Sequence, residues 1–325
     1  MSEKTGGFRE EDRRQAMTVL RGVNRVMLGK EGVVQEVFLT FLAGGHVLLE
    51  DIPGVGKTTL ARAFARAISL NYRRVQFTPD VLPSDITGFS VYHRGEERFI
   101  FQEGAVFTNL LLADELNRTS PKTQSALLEA MQERQVTVDG VTHALPEPFL
   151  VIATQNPHGA AGTQLLPDSE TDRFAVSLTL GYPDKDSEVR LAVQAGTEES
   201  MERLPSVIGT GELQAMQEQV KDIYVSEPAA RYAVELVERT RAQADFERGG
   251  SPRATIWLVR MAKAAAWLAG RDYVMPADIE GQFLPVMRHR VILTRRAEAD
   301  GTDIEERLAA IAAEVKKPGI GVRPR

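Results

Sequence analysis

The chain has no cysteine among its 325 residues. That excludes disulfides, zinc ribbons, iron–sulfur clusters and a cysteine nucleophile. No uncharged apolar run reaches the roughly 18 residues that a membrane helix needs. Basic charge is not in excess: 39 Lys+Arg stand against 45 Asp+Glu, a formal net charge of −6. A sequence-independent nucleic-acid coat wants a basic footprint, so nucleic acid is not the expected partner. Histidines are few. His46, His93, His143, His158 and His289 form no HxxxH or related metal-ligand spacing. The opening MSEKTGGFREEDRR is charged and has no apolar centre, so no secretory leader is expected and the cytoplasm is the expected address.

What is present is ordinary globular material. Hydrophobic residues make up 43% and charged residues 26%, enough apolar surface to offset the entropy of ordering. The length suggests about two domains. From about Val33 to Leu180, short apolar runs alternate with helical patterns. Val47–Leu49, Arg73–Phe77, Asn109–Ala113 and Phe149–Thr154 are each bounded by Gly, Pro or Asp, and predict buried strands of a mostly parallel sheet. Lys57–Leu70 and Pro121–Gln132 carry apolar residues at helical spacing. Two hairpins are expected. Gln135–His143 has an Asp-Gly turn between β-branched arms, and Phe89–Gln102 has aromatic arms around a polar tip at Arg94–Glu97. After Gly181–Glu188 the pattern turns helical, over Val189–Gln194, Leu213–Lys221, Pro228–Ala244 and Ala254–Leu268, and no strand is expected there.

Between the first strand and the first helix lies DIPGVGKTT. Glycines let backbone N–H groups wrap a polyphosphate, and the helix N-terminus directs partial positive charge at it. Lys57 would reach the β- and γ-phosphates, and the Thr58 hydroxyl would ligate Mg²⁺. A bare GK[ST] occurs by chance roughly 0.16 times in such a chain, whereas PGxGK[ST] occurs about 0.0006 times. The cofactor-binding set is therefore Pro53, Gly54, Val55, Gly56, Lys57, Thr58 and Thr59. The full pattern wants Gly at its first position, where this chain has Asp51. That position starts the turn, so tolerance is expected.

Asn109–Ala113 ends in Asp114-Glu115. An apolar strand closing on two carboxylates suits nucleotide hydrolysis: Asp114 would hold Mg²⁺ through water, and Glu115 would orient or deprotonate the attacking water. Phe149–Pro157 is a further buried run ending in Gln155-Asn156, where Asn156 could touch the γ-phosphate or the lytic water. No NKxD-like guanine-reading motif occurs, which favours ATP over GTP.

The ordered set PGVGKT, LLLADE, ATQNP, LPDSETDRF and GSPRAT resembles the AAA+ ATPases, specifically the MoxR family, from about Val26 to His289. The stretch NRTSPKTQSALLEAMQER after the acidic pair is the most family-typical. The resemblance implies an α/β fold: an αβα nucleotide-binding core with a mostly parallel five-stranded sheet and hairpin inserts over 1–185, opening on a short N-terminal helix. A helical lid over 186–317 and a flexible tail over 318–325 would follow. It implies ATP and Mg²⁺ as ligands. It gives Asn156 the sensor 1 position, Arg173 that of an arginine finger supplied by a neighbouring subunit, and Arg253 that of the sensor 2 arginine of the lid. LPDSETDRF departs from the usual family form, with Glu170-Thr171 where Gln-Leu often stands. Val26 and Met27, with Leu28, would line the adenine pocket. The two hairpins match the helix-2 insert and pre-sensor-1 hairpin of one AAA+ branch, where they face the ring pore or reposition the lid.

The same resemblance implies a hexameric ring that matures partner complexes, in some cases by metal or cofactor insertion, beside proteins with von Willebrand factor A domains. A nucleic-acid motor and a non-hydrolysing switch are the alternatives. The acidic balance disfavours the first; Glu115 and Arg173 disfavour the second. Trp257 and Trp267 lie ten apart on an expected helix and read as core. His289 and Arg290 stand in MRHR without an assigned role.

Overall fold

A computed structural model describes residues 10–156, 166–193 and 198–319. Two helices come first, α1 (Glu10–Val26) and α2 (Glu31–Leu42). Strand β1 (Val47–Glu50) runs through the glycine loop into α3 (Lys57–Ala67). Strand β2 (Tyr72–Gln76), the short α4 (Pro83–Thr87) and the hairpin β3 (Gly88–His93) and β4 (Arg98–Glu103) follow. Then come β5 (Leu110–Asp114), α5 (Pro121–Glu133), and the hairpin β6 (Gln135–Val138) and β7 (Val141–Ala144). Strand β8 (Leu150–Gln155), the single turn α6 (Asp168–Thr171) and β9 (Val176–Leu178) complete the sheet.

The five long-range strands pair in the order β2-β5-β8-β1-β9, all parallel. Their side chains alternate between two layers, as the pleat requires. Val47, Leu49, Leu110, Leu112, Leu150 and Ile152 join one apolar cluster with α1, α2 and α3. Leu48, Leu111, Ala113, Val151 and Ala153 join a second with α5. Burial on both faces is why β1, β5 and β8 read as unbroken apolar runs. Strand β2 corrects one expectation: it is an edge strand, with Arg73, Arg74 and Gln76 exposed. Its arginines blunt the edge, and Arg74 and the uncharged Gln76 serve the site described below.

Both hairpins form. Asp139 and Gly140 have φ of 51° and 78°, the pair of positive values that a type I′ turn demands. Across β3 and β4, Tyr92 lies opposite Phe99 with ring centroids 5.3 Å apart.

Beyond the sheet lie α7 (Lys185–Val193), α8 (Glu198–Glu202), α9 (Thr210–Lys221) and α10 (Glu227–Ala242). The strand β10 (Phe246–Arg248) precedes α11 (Pro252–Leu268) and α12 (Pro276–Met287). The strand β11 (Ile292–Leu293), α13 (Arg295–Ala299) and α14 (Ile304–Glu314) end the described chain. This region is not purely helical as expected: β10 and β11 pair antiparallel. Strands of two and three residues are too short to leave an alternation in the sequence. Helix α7 starts four residues before the expected Val189, because the Asp184 carboxylate accepts from the Asp186 and Ser187 backbone N–H groups and so caps it. Trp257 and Trp267 are buried as expected, and the Trp267 indole donates to Gln219 at 3.1 Å. The helices α9, α10, α11 and α12 share the apolar cluster of α1 and α2, so this region packs directly on the αβα core.

Candidate functional site

Parallel strands place all their C-terminal ends on one edge, where α/β sheets bind ligands. Here that edge carries Asp51 after β1, Gln76 ending β2, Asp114 ending β5, and Gln155 ending β8 with Asn156 next. Gln76 is in register with Asp114, and Glu50 with Gln155. The sequence-predicted phosphate loop, acidic pair and Asn156 are thus brought together.

The loop 51–56 is exposed around Pro53 and Gly54. Gly54 has φ 88°, and Gly56, which caps α3, has φ 100°. A side chain is disfavoured at both positions, so the glycines hold the backbone N–H groups in a cradle for anionic oxygen. Lys57 Nζ donates to the Asp51 carbonyl at 3.0 Å. Burial pulls the Lys57 ammonium down, while Asp114, Asp51 and Glu115 act to hold it charged. Lys57 therefore shares one electrostatic field with both carboxylates. Thr58 and Thr59 occupy the first turn of α3. The Met27 methyl approaches Gly56, at 3.5 Å from where a Cβ would stand; Val26 is in the core.

Asp51 does more than start the turn. It is buried, and its carboxylate accepts from the backbone N–H groups of Leu180 and Gly181. It pins the phosphate loop to the segment leaving β9, two elements that no spacing in the sequence connects.

The acidic pair is held by residues that the sequence reading missed. Asp114 Oδ1 accepts from Thr154 Oγ1 and Oδ2 from Arg74 Nη2, both at 2.7 Å. Glu115 Oε2 accepts from Gln76 Nε2 at 2.8 Å and from Arg118 Nη1 at 2.7 Å. Arg74 also donates to Gln76 Oε1 at 3.0 Å, so the two carboxylates are joined through the edge strand. Glu115 sits at φ 55°, and its N–H donates to Thr154 Oγ1 at 2.8 Å. A left-handed non-glycine residue costs of order 1 kcal/mol or more and persists where neighbours over-determine it. The available signal was the i, i+2 pair of polar residues, Arg74 and Gln76, at the end of an otherwise short strand.

Arg173 and Arg253 lie elsewhere. Arg173 is three residues before β9, and the phosphate loop follows β1; β1 and β9 are parallel neighbours. The two sites therefore sit at opposite edges of the sheet, separated by at least the four residues of β1, roughly 13 Å at about 3.3 Å per residue. Arg173, Arg253, Arg134 and Arg260 line one cavity of about 340 Å³ together with His46, which precedes β1. His46 is fully enclosed: burial first, then Arg134, pulls its imidazole down to about 3, so it is neutral and adds no charge to this arginine cluster.

Asp172, next to Arg173, is the hub of that edge. It accepts from Ser251 Oγ at 3.0 Å and from Arg290 Nε at 2.7 Å, and pairs with Arg253 at 3.5 Å. Asp168 pairs with Arg248 at 3.1 Å. Neither carboxylate engages Arg173, and among the described residues no hydrogen bond or ion pair holds the Arg173 side chain. The structure also gives Arg290 a place: it is buried and donates to the carbonyls of Asp172, Phe174 and Ala175. His289 Nε2 lies 3.3 Å from the Phe174 carbonyl.

Known proteins resemble this chain in sequence and fold. Residues 46–176 match the ATPase family associated with various cellular activities (AAA), and residues 238–311 match an AAA lid domain. The uncharacterised YeaC of Bacillus subtilis is 43% identical over 296 residues, covering 91% of this chain and 92% of the relative. Chaperone MoxR1 of Mycobacterium tuberculosis is 37% identical over 312 residues, covering 93% and 82% respectively. A crystal structure of a Cytophaga hutchinsonii protein, 36% identical, superposes with a TM-score of 0.88 over 95% of this chain and 96% of its own. On the strength of these relatives and of the parallel sheet with its phosphate loop, the chain belongs to the MoxR-type AAA+ ATPases.

Proposed function

We propose that this protein hydrolyses ATP as a closed ring, in which each nucleotide lies between two copies. One observation carries the reading. The phosphate loop, Asp114, Glu115 and Asn156 stand at the C-terminal edge of the sheet, and Arg173 with Arg253 stands at the opposite edge. An arginine that stabilises the charge building on the γ-phosphoryl must come within hydrogen-bond distance of it. From the far edge, Arg173 and Arg253 reach a neighbour's phosphate and not their own.

Within one site, the loop N–H groups and Lys57 would bind the polyphosphate. Met27, whose methyl already stands beside Gly56, would border the base, whereas the Val26 side chain is enclosed in the core behind it. Thr58 and Asp114 are hard oxygen donors suited to Mg²⁺, and Asp114 Oδ2 already faces a cation, the Arg74 guanidinium, so the position fits a positively charged occupant. When bound, Mg²⁺ would neutralise phosphate charge. Glu115, freed from Gln76 and Arg118, would accept a proton from the attacking water or orient it, and Asn156 would hold that water or the γ-phosphate. The nucleotide-binding core is taken as 1–185, the lid as 186–317 and the tail as 318–325.

The ring is read here as six-membered and cytoplasmic, remodelling or maturing partner complexes with a von Willebrand factor A protein beside it; a relative named as a chaperone, MoxR1, supports the remodelling part of this reading. Activity per subunit should rise with protein concentration. Glu115→Gln should retain ATP binding and lose turnover by at least about a hundredfold. Normal hydrolysis by that variant would remove Glu115 from the mechanism.

A further inference from the structure

The exposed large apolar side chains, apart from Leu82 and Val234, fall into three groups. One is the pair of hairpins. The second is Tyr182, Val189 and Val193, which are 76%, 54% and 79% exposed. The third is Ile256, 54% exposed on α11. The second and third lie at opposite edges of the sheet.

Helix α7 has nine residues, and only Ser187 among them is buried. A helix that short is marginal in water without a packed face. Val189 and Val193 are four apart and share one side, turned to solvent. The helix starts beside the nucleotide edge: a Cβ on Gly29 would meet Asp184 and Ser187, and Lys30 donates to the Leu180 and Tyr182 carbonyls, both at 2.6 Å.

At the other edge, α11 roofs a groove of about 810 Å³, whose walls include Phe149, Ile256, Val259, Arg260 and Lys263. Ile256, Val259, Arg260 and Lys263 stand at i, i+3, i+4 and i+7, so they share one face of the helix. This groove continues into the cavity of Arg173 and Arg253, since Gly44, Arg134, Ile256 and Arg260 border both.

We propose that this groove seats α7 of a second copy of the chain. The proposal rests on Arg173 and Arg253 serving a neighbour's nucleotide. If they do, the groove that runs on from them faces what runs on from the neighbour's phosphate loop, and that is α7. The contact is heterologous, one patch meeting a different patch, which is the geometry that closes a ring. Val189 and Val193 pack on Ile256 and Val259, while the mixed charges of α7 (Lys185, Asp186, Glu188 and Arg190) meet the mixed charges of the groove, where Glu147 and Glu218 stand beside Arg260 and Lys263. Each nucleotide is then bordered on two sides by the same neighbour, which ties assembly to occupancy of the site.

The absence of native cysteine makes a direct test clean. Val193→Cys and Ile256→Cys are introduced singly and together, and bridged by a bis-maleimide with ATP present. The double variant should give a covalent ladder on a denaturing gel, and each single variant should stay monomeric. Rings seen by native mass measurement without a ladder overturn the α7 contact alone. Dimers from Ile256→Cys by itself indicate a symmetric lid-to-lid contact and overturn it too. If the unsubstituted chain never assembles with ATP, the underlying reading and this proposal fall together. Ile256→Asp in the cysteine-free chain should raise the concentration for half-assembly at least about tenfold, as removal of a central contact residue does. Its thermal midpoint and monomer ATP affinity should stay unchanged, because Ile256 is half-exposed and remote from the phosphate loop. Unaltered assembly by Ile256→Asp would count against the groove equally.

Discussion

Arg290 grips Asp172 from inside the protein: its Nε donates to the Asp172 carboxylate at 2.7 Å, and its Nη2 donates to the Asp172 carbonyl at 3.1 Å and to the Phe174 carbonyl at 2.6 Å. Those carbonyls flank Arg173. The lid thus fixes the backbone on both sides of Arg173, whose guanidinium interacts electrostatically with Glu170. Burial pulls the Arg290 guanidinium down to about 10, opposed by Asp172, so it remains charged at neutral pH and the buried pair stays intact.

Arg290→Lys should therefore separate positioning from charge. Lysine keeps the cation but cannot present the planar fork that reaches a carboxylate and carbonyls together. The expected result is an ATP KM near that of the unsubstituted protein and a kcat reduced about tenfold or more, with the phosphate loop untouched. Equal losses in KM and kcat, or a large fall in the thermal midpoint with normal kcat, would show that Arg290 only stabilises the fold.

What the sequence made legible follows from range. The phosphate loop, Asp114-Glu115 and the Asp139-Gly140 turn are local patterns, in which neighbours in sequence decide the backbone. The alternation of β1, β5 and β8 between two apolar layers erased their period, yet their unbroken apolar character still marked buried strands. Strand β2 was misread as buried because Arg73, Arg74 and Gln76 carry an edge and a site at once. Arg290 with Asp172, and Asp51 with Leu180, pair residues 118 and 129 positions apart. Only the fold brings such pairs together, so no local pattern announces them.

Glu36 supplies a pH-dependent test of the core–lid junction. It lies on α2, and its Oε1 accepts from Gln282 on α12 at 3.1 Å. Burial pushes its carboxyl up from 4.5 to about 7, which the Gln282 hydrogen bond only partly opposes. The folded state then holds the proton more tightly than the unfolded chain. The stability this contributes is complete below about pH 4.5 and is lost as pH rises through 7. The gap corresponds to roughly 3 kcal/mol. Glu36→Gln should match the unsubstituted protein in urea unfolding near pH 4 and exceed its stability by an amount approaching that figure at pH 8. A constant difference at both pH values would mean that Glu36 does not titrate in this range.

Arg74 holds the oxygen that Mg²⁺ would need. Its ion pair with Asp114 is 2.7 Å long, with the arginine side chain about half exposed, so the pair is worth up to about 1 kcal/mol. Arg74→Ala should lower the Mg²⁺ concentration for half-maximal binding of a fluorescent ATP analogue by up to about fivefold. The nucleotide affinity without Mg²⁺ should change little. A higher Mg²⁺ requirement would show that Arg74 assists the metal site instead of competing with it.

The opposed edges of the sheet make the last prediction the sharpest. Arg173→Ala keeps its own phosphate loop and should bind ATP almost normally, yet lose most turnover, since arginine fingers contribute roughly 10³–10⁵ in rate where measured. Lys57→Ala loses the cation beside Asp114 and Glu115 and should not bind nucleotide, but it keeps Arg173. Neither variant is active alone. In mixed rings, some Arg173→Ala sites face a Lys57→Ala neighbour that supplies the missing arginine, so partial activity should return on mixing. Were Arg173 to act within its own chain, no mixture could restore turnover, because each copy lacks one essential group of its own site. Mixed rings that form and stay inactive would leave two explanations, a finger in cis or a ring that requires every subunit competent. A tandem-linked dimer carrying Arg173→Ala in one half and Lys57→Ala in the other decides between them. Held below the concentration at which rings close, it has a single junction, and only one of the two orders of the halves pairs the intact phosphate loop with the intact finger there; activity in that order alone shows that the finger crosses from one copy to the next.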